Sequence, residues 1–236
     1  MKLFAFLSAA LFSAVAFASG GEYPLEKAPV DLSNNVSLQR GAAAFQNYCS
    51  GCHSLGYMRY SRLTDIGLSE EEIKKALLPT GAKLGDTMGI PMRPQDAKTW
   101  FGVMPPDLSV EARSRGSDWI YTYLRTFYRD DSRPTGWNNL VYERVGMPHV
   151  LYQLQGDVAL EHGDGHGAPK LVKVSDGQLN AAEYDALIGD ITNYLTWVAE
   201  PVRESRVRMG FLVIGFLLVM LVLVYNLKKE FWKDVH

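Results

Sequence analysis

Residues 49–53 read Cys49-Ser50-Gly51-Cys52-His53, and the two cysteines of this pentapeptide are the only ones among 236 residues. Two thiols separated by two residues and followed at once by a histidine have the spacing at which each sulfur adds to one vinyl group of a haem. The same turn holds the imidazole close enough to ligate the iron from one face. A redox dithiol belongs at the strand-to-helix junction of a βαβ unit, and a zinc site needs four ligands. Neither context surrounds the motif. There is no third cysteine, and His149, His162, His166 and His236 form no second ligand pair of the usual spacing, the acidic His162–His166 loop aside. The motif therefore predicts one covalently bound c-type haem, anchored by Cys49 and Cys52 and ligated by His53.

Outward from the motif, Ser37 to Tyr48 reads as a helix with Gly41 and Phe45 on one face. Asn180 opens a long helix whose Tyr184, Leu187, Ile188, Ile191, Leu195 and Val198 form one stripe, ended by Pro201. A helix before the haem motif and another near the end of the soluble body are the pair that a class I cytochrome c-like fold crosses to close its core. Gly41 would permit the close approach, with Tyr194 or Trp197 packed against it. Between them, Ser69 and Glu72 form a capping box for a short helix stopped by Pro79. Residues 79–109, rich in Pro, Gly and Met, are expected to be loop. Ser117 is expected to cap a helix carrying Ile120, Tyr123, Leu124 and Phe127, and Val150–Gln155 with Leu171–Val174 to form a hairpin. The expected fold is mainly α, a haem domain with long loops and a small β-hairpin, plus one C-terminal transmembrane helix.

Both ends of the chain carry membrane signals. Lys2, an apolar run through Phe17 and the small-residue site Ala16-Phe17-Ala18 read as a signal peptide over residues 1–18. Met209 to Leu227 are nineteen residues without a charge, enough to span roughly 30 Å as a helix. The run is apolar on every face, which separates it from a buried core helix, and Arg206, Arg208, Lys228, Lys229 and Lys233 bracket it. Basic residues at both ends leave the orientation to the signal peptide. The expected organisation is a signal peptide at 1–18, a periplasmic haem domain at 19–205, a transmembrane helix at 206–228 and a cytoplasmic tail at 229–236. The signal has a bacterial look, which places the protein at the bacterial inner membrane with its haem domain in the periplasm.

The leader contains one of the 24 Lys and Arg residues and none of the 26 Asp and Glu. The remaining body is mildly acidic, which excludes a nucleic-acid partner and is compatible with docking a basic one. Reactivity turns on the sixth ligand of the iron. A methionine sulfur raises the potential and fills the coordination sphere, giving electron transfer, whereas an open position would give a peroxidase-like haem enzyme. Met88, Met92, Met104 and Met147 are the methionines able to reach the far face. Met104-Pro105-Pro106 and Gly146-Met147-Pro148 both stiffen a methionine with proline, and the residues alone do not choose between them.

Read in order, Cys49-Ser50-Gly51-Cys52-His53-Ser54, Met92-Arg93-Pro94, Pro105-Pro106-Asp107-Leu108-Ser109, Gly146-Met147-Pro148, Trp197-Val198-Ala199-Glu200-Pro201, Arg208-Met209-Gly210 and the terminal span resemble the cytochrome c1 family. These are the haem subunits of the cytochrome bc1 complex, ubiquinol:cytochrome c reductase. The resemblance implies that His53 and Met147 are the axial ligands and Cys49 and Cys52 the thioether anchors. It also implies that Pro105 and Pro106 lie along the haem edge, and that Arg113 or Arg115 meets a haem propionate. It further implies a redox subunit with no catalysis of its own, which takes one electron from a Rieske iron-sulfur protein and passes it to a soluble or tethered c-type cytochrome. Cytochrome b and membrane lipid would be its neighbours, and dimerisation would come through the complex. The Glu161–Gly167 loop has no counterpart in that pattern and reads as a solvated hairpin tip.

Overall fold

The computed structural model describes residues 23–161 and 170–234. The leader at 1–18 and the His162–His166 loop lie outside the described residues. Helix α1 (Asn35–Tyr48) begins where the Asn34 side chain accepts the Ser37 N–H, and it delivers the chain directly into the Cys49–His53 turn. Strand β1 (Leu55–Arg59) follows, then a 3-10 turn over Tyr60–Ile66. Helix α2 (Glu70–Glu72) carries the expected Ser69/Glu72 capping box and continues as a π-helical turn through Leu77. Strand β2 (Thr87–Met88) pairs antiparallel with β1.

Residues 79–109 are less irregular than their composition suggests. They contain β2 and a helix, α3 (Pro94–Phe101), which starts with proline in its first turn and closes at Gly102 with φ of 77°. Proline costs nothing at the first helical position because that N–H has no intrahelical partner, and glycine is suited to the left-handed closing residue. Helices α4 (Glu111–Ser114) and α5 (Ser117–Arg125) come next. Ser117 is the first residue of α5 and not its cap. That position falls to Gly116, and the Ser117 hydroxyl bonds across to Thr196 at 2.9 Å.

Phe127, expected on the helix, begins strand β3 (Phe127–Arg129), which pairs antiparallel with β4 (Trp137–Asn139). Helix α6 (Tyr152–Gln155) occupies part of the segment expected as the first hairpin strand. Leu151 and Leu154 are buried three apart, a helical spacing, and Gly156 turns the chain at φ 91°. The hairpin forms one step later, β5 (Val158–Glu161) against β6 (Lys170–Lys173).

Helix α7 (Ala181–Ala199) is capped reciprocally by Asn180 and Glu183 and crosses α1. A β-carbon added to Gly41 would lie 2.6 Å from the Tyr194 β-carbon and under 3.0 Å from the Asp190 carbonyl oxygen, so only glycine permits this approach. Phe45 and Tyr194, both fully buried, meet at 5.9 Å between ring centroids. Each such aromatic contributes about 2–3 kcal/mol of burial.

A polar clamp then fixes the crossing. The Asp190 carboxylate accepts from Ser37 Oγ at 2.6 Å and from Arg40 Nε at 2.6 Å and Nη2 at 2.9 Å. Asn193 ties the preceding loop down by bonding the Asp31 N–H and carbonyl. Beyond Pro201 runs α8 (Arg203–Phe231), whose apolar side chains face outward along its length, as a single-pass membrane anchor requires.

Candidate haem site

The site begins with how the motif turn is held. The N–H groups of Cys52 and His53 both donate to the Cys49 carbonyl, at 3.0 and 2.8 Å, wrapping the pentapeptide around the end of α1. Both thiols are free and half-buried. Burial pushes the Cys49 thiol up to about 12 and also raises that of Cys52, so both are protonated at neutral pH.

His53 Nδ1 lies 2.8 Å from the Pro106 carbonyl. A carbonyl only accepts, so Nδ1 carries the proton and Nε2 keeps its lone pair for a metal. Burial lowers the imidazole's pKa, which favours the neutral form a ligand needs. Asp107 anchors the Pro-Pro-Asp segment from the other side, accepting from Ser54 Oγ at 2.5 Å, Gly56 N–H at 2.7 Å and Ser109 N–H at 2.8 Å. The Pro106 carbonyl therefore orients the imidazole.

Met147 sits between the main core and a smaller cluster of Phe127, Trp137 and Val145. The Tyr123 hydroxyl donates to its sulfur at 3.3 Å. Burial raises the pKa of that phenol, keeping it a donor. Two buried asparagines set the path of the turn. Asn139 Oδ1 accepts the N–H groups of Val141 and Tyr142, while its amide donates to the Tyr123 carbonyl at 2.8 Å. Asn138 Oδ1 accepts the N–H of Arg144, which has φ of 60°.

After the turn, His149 stacks on Phe127 at 4.9 Å and bonds Gln155 at 2.7 Å. Gly146 packs against the Phe101 carbonyl at the end of α3. None of these supports was read from the sequence, although an Asn-Asn pair closing a strand and an i+2 histidine after Gly-Met-Pro are signals that were present. Two other methionines are occupied differently. Met58 and Met88 are buried in the main core, and Met88 Sδ receives the Tyr194 hydroxyl at 3.6 Å.

The two expected propionate partners are both exposed. Arg113 lies 3.9 Å from Glu200. Arg115 pairs with Glu111 at 3.0 Å and stacks its guanidinium over Trp119 at 4.5 Å. Among the described residues no group of three or more His, Cys, Asp and Glu side chains is placed to share one metal ion. The chemistry of the donor set fits haem instead: two thiols, an imidazole with one nitrogen free, and a thioether on a separate turn.

Such donors on a crossed-helix domain with a membrane helix are the equipment of an anchored haem protein of electron transfer. Residues 26–235 match the model described as the Cytochrome C1 family. Cytochrome c1 of Allochromatium vinosum is 49% identical over 226 residues, 93% of this chain and 93% of that one. A Nitrosomonas europaea protein named ammonia monooxygenase gamma subunit is 49% identical over 238 residues, 100% of both. The Bradyrhizobium diazoefficiens protein named cytochrome b/c1 is 30% identical over 253 residues, 88% of this chain and 34% of that one. The chain belongs to the cytochrome c1 family and is a membrane-anchored haem protein of respiratory electron transport.

Proposed function

We propose that the chain is the subunit of a quinol–cytochrome c oxidoreductase that takes one electron from a Rieske iron-sulfur protein and passes it to a c-type cytochrome. Cys49 and Cys52 would hold the haem by thioether bonds, and His53 Nε2 and Met147 Sδ would ligate its iron. When bound, the haem would supply a one-electron carrier. The protein's part is to keep both ligands still. The Pro106 carbonyl fixes the imidazole, while Tyr123, Asn138, Asn139 and His149 fix the thioether, so little rearranges when the charge changes. Pro105 and Pro106 would help to hold the haem, and Arg113 and Arg115 are the cations from which a propionate partner would be drawn.

The haem domain, residues 19–205 after removal of the 1–18 leader, stands in the periplasm of a bacterium. The span at 206–228 crosses the inner membrane beside cytochrome b, and residues 229–236 end in the cytoplasm. The relative named for both cytochrome b and c1 supports that neighbour. Dimerisation comes through the complex.

The observation that carries this reading is the free His53 Nε2, set by a carbonyl 53 residues away. The test is the optical spectrum of the protein purified with its accompanying subunits, compared with Met147→Leu and, as control, Met104→Leu. Loss of the sulfur-to-iron charge-transfer band is expected in the first alone, with loss of quinol-driven cytochrome c reduction. Retention of both in Met147→Leu refutes the assignment. The equally similar monooxygenase-named relative supports a second reading, an electron-carrying subunit of a different assembly. Co-purification with a monooxygenase in place of cytochrome b would favour it.

A further inference from the structure

Gln155, the last residue of α6, makes two hydrogen bonds that together decide the state of a buried imidazole. Its Nε2 donates to the Arg125 carbonyl at 3.3 Å, and its Oε1 lies 2.7 Å from His149 Nε2. A carbonyl only accepts, so the amide nitrogen faces Arg125 and the amide oxygen is left to face the ring. That oxygen requires a donor, so His149 carries its proton on Nε2. One amide thus fixes both the tautomer and the rotation of a ring that is 2% exposed, stacked flat on Phe127 and edge-on to Trp137.

Both ends of this bridge belong to the surroundings of Met147. Arg125 ends α5, the helix whose Tyr123 hydroxyl donates to the Met147 sulfur at 3.3 Å. The Arg125 carbonyl is one of those that a helix end leaves without an intrahelical partner. The Arg125 guanidinium is itself tied to Asp185 of α7 at 2.7 and 3.0 Å and to Glu26. At the other end, His149 follows Met147 by two positions, with Pro148 between them to restrict the backbone. The mount of Gln155 is rigid as well. Its N–H donates to the Leu151 carbonyl at 3.0 Å, and a β-carbon on the adjoining Gly156 would lie 2.2 Å from the Ser175 carbonyl oxygen. The sulfur is therefore held directly from α5 and, through His149 and Gln155, from the end of the same helix.

We propose that Gln155 is a positioning residue for Met147. By locking His149 to the end of α5, it keeps the thioether against the Tyr123 hydroxyl and resists its displacement by an outside base. The proposal rests on the reading of Met147 as the axial ligand, and it assigns Gln155 no contact with the haem.

The test is an imidazole titration of the oxidised protein, purified with its accompanying subunits and followed by the sulfur-to-iron charge-transfer band. Gln155→Met keeps the length of the side chain and removes both hydrogen bonds. It should lower the imidazole concentration that halves the band about fivefold, the equivalent of one hydrogen bond. His149→Phe should do the same, and the double variant should fall no further, because the two residues act as one unit. Gln153→Met, the same change at an exposed position of α6, should leave the titration unchanged. So should Asp190→Ala, which loosens the α1–α7 crossing away from the Met147 turn. An unchanged titration in Gln155→Met, a double variant displaced about twenty-fivefold, or an equal shift in Asp190→Ala would overturn the proposal. A parent protein without the band would instead overturn the ligand reading, and the proposal with it.

Discussion

Gly41→Ala tests whether the crossing of α1 and α7 is as tight as the geometry implies. The new methyl would stand 2.6 Å from the Tyr194 β-carbon and under 3.0 Å from the Asp190 carbonyl. Both neighbours belong to a helix backbone or its first side-chain atom, so neither can swing aside and the helices must part. Overpacking of this kind costs typically 1–3 kcal/mol, and two rigid contacts place it near the top of that range. Alanine returns about 1 kcal/mol through its helix propensity. The expected net loss is therefore about 2 kcal/mol, or about 1 M in urea midpoint for a slope near 2 kcal/mol/M. The assay is urea unfolding of the full chain in detergent, followed by far-UV circular dichroism. Gly89→Ala is the control, since Gly89 is exposed and nothing lies within 4 Å of its added carbon, and it should stay within about 0.5 kcal/mol of the parent. A Gly41→Ala protein as stable as the parent would refute the close-approach argument.

Asp190→Ala should cost about 2 kcal/mol in the same assay, because it removes three hydrogen bonds from one buried carboxylate and leaves the Ser37 hydroxyl proton without an acceptor. Arg40 is largely exposed and its share is correspondingly small. Burial holds His149 down to about 4, with Gln155 opposing and Arg129 assisting that shift. Its folded pKa lies below the unfolded value near 6.5, so the unfolded chain binds the extra proton between the two. Stability should be full above about pH 6.5 and fall by about 3 kcal/mol as pH drops to about 4. His149→Phe should flatten that part of the profile, and an unchanged slope would count against it. Tyr123→Phe removes the donor to the Met147 sulfur. A donor withdraws electron density and favours reduced iron, so the midpoint potential should fall by about 40 mV, equivalent to about 1 kcal/mol. Redox titration measures this, and a rise would contradict Met147 as the ligand.

What the sequence determined by itself is chemistry whose geometry is set by short covalent spacing. The Cys49–His53 turn, the Ser69/Glu72 box, the start of α7 at Asn180 and the uncharged run in α8 each depend on residues a few positions apart, and each was legible. Local pattern misled where a distant partner outbid it. Phe127 keeps helical spacing with Tyr123, but the Asn139 amide takes the Tyr123 carbonyl and β4 draws the chain into a strand. Val150–Gln155 alternates enough to suggest a strand, yet burial of Leu151 and Leu154 makes it a turn of helix. Only the tertiary structure decided that Pro106 orients His53, that Asp190 clamps α1 through residues 150 and 153 positions away, and that Tyr123 meets the sulfur of Met147. Those contacts join segments whose separation in sequence carries no information about their distance in space. They are fixed by which buried polar groups find partners once the helices have crossed.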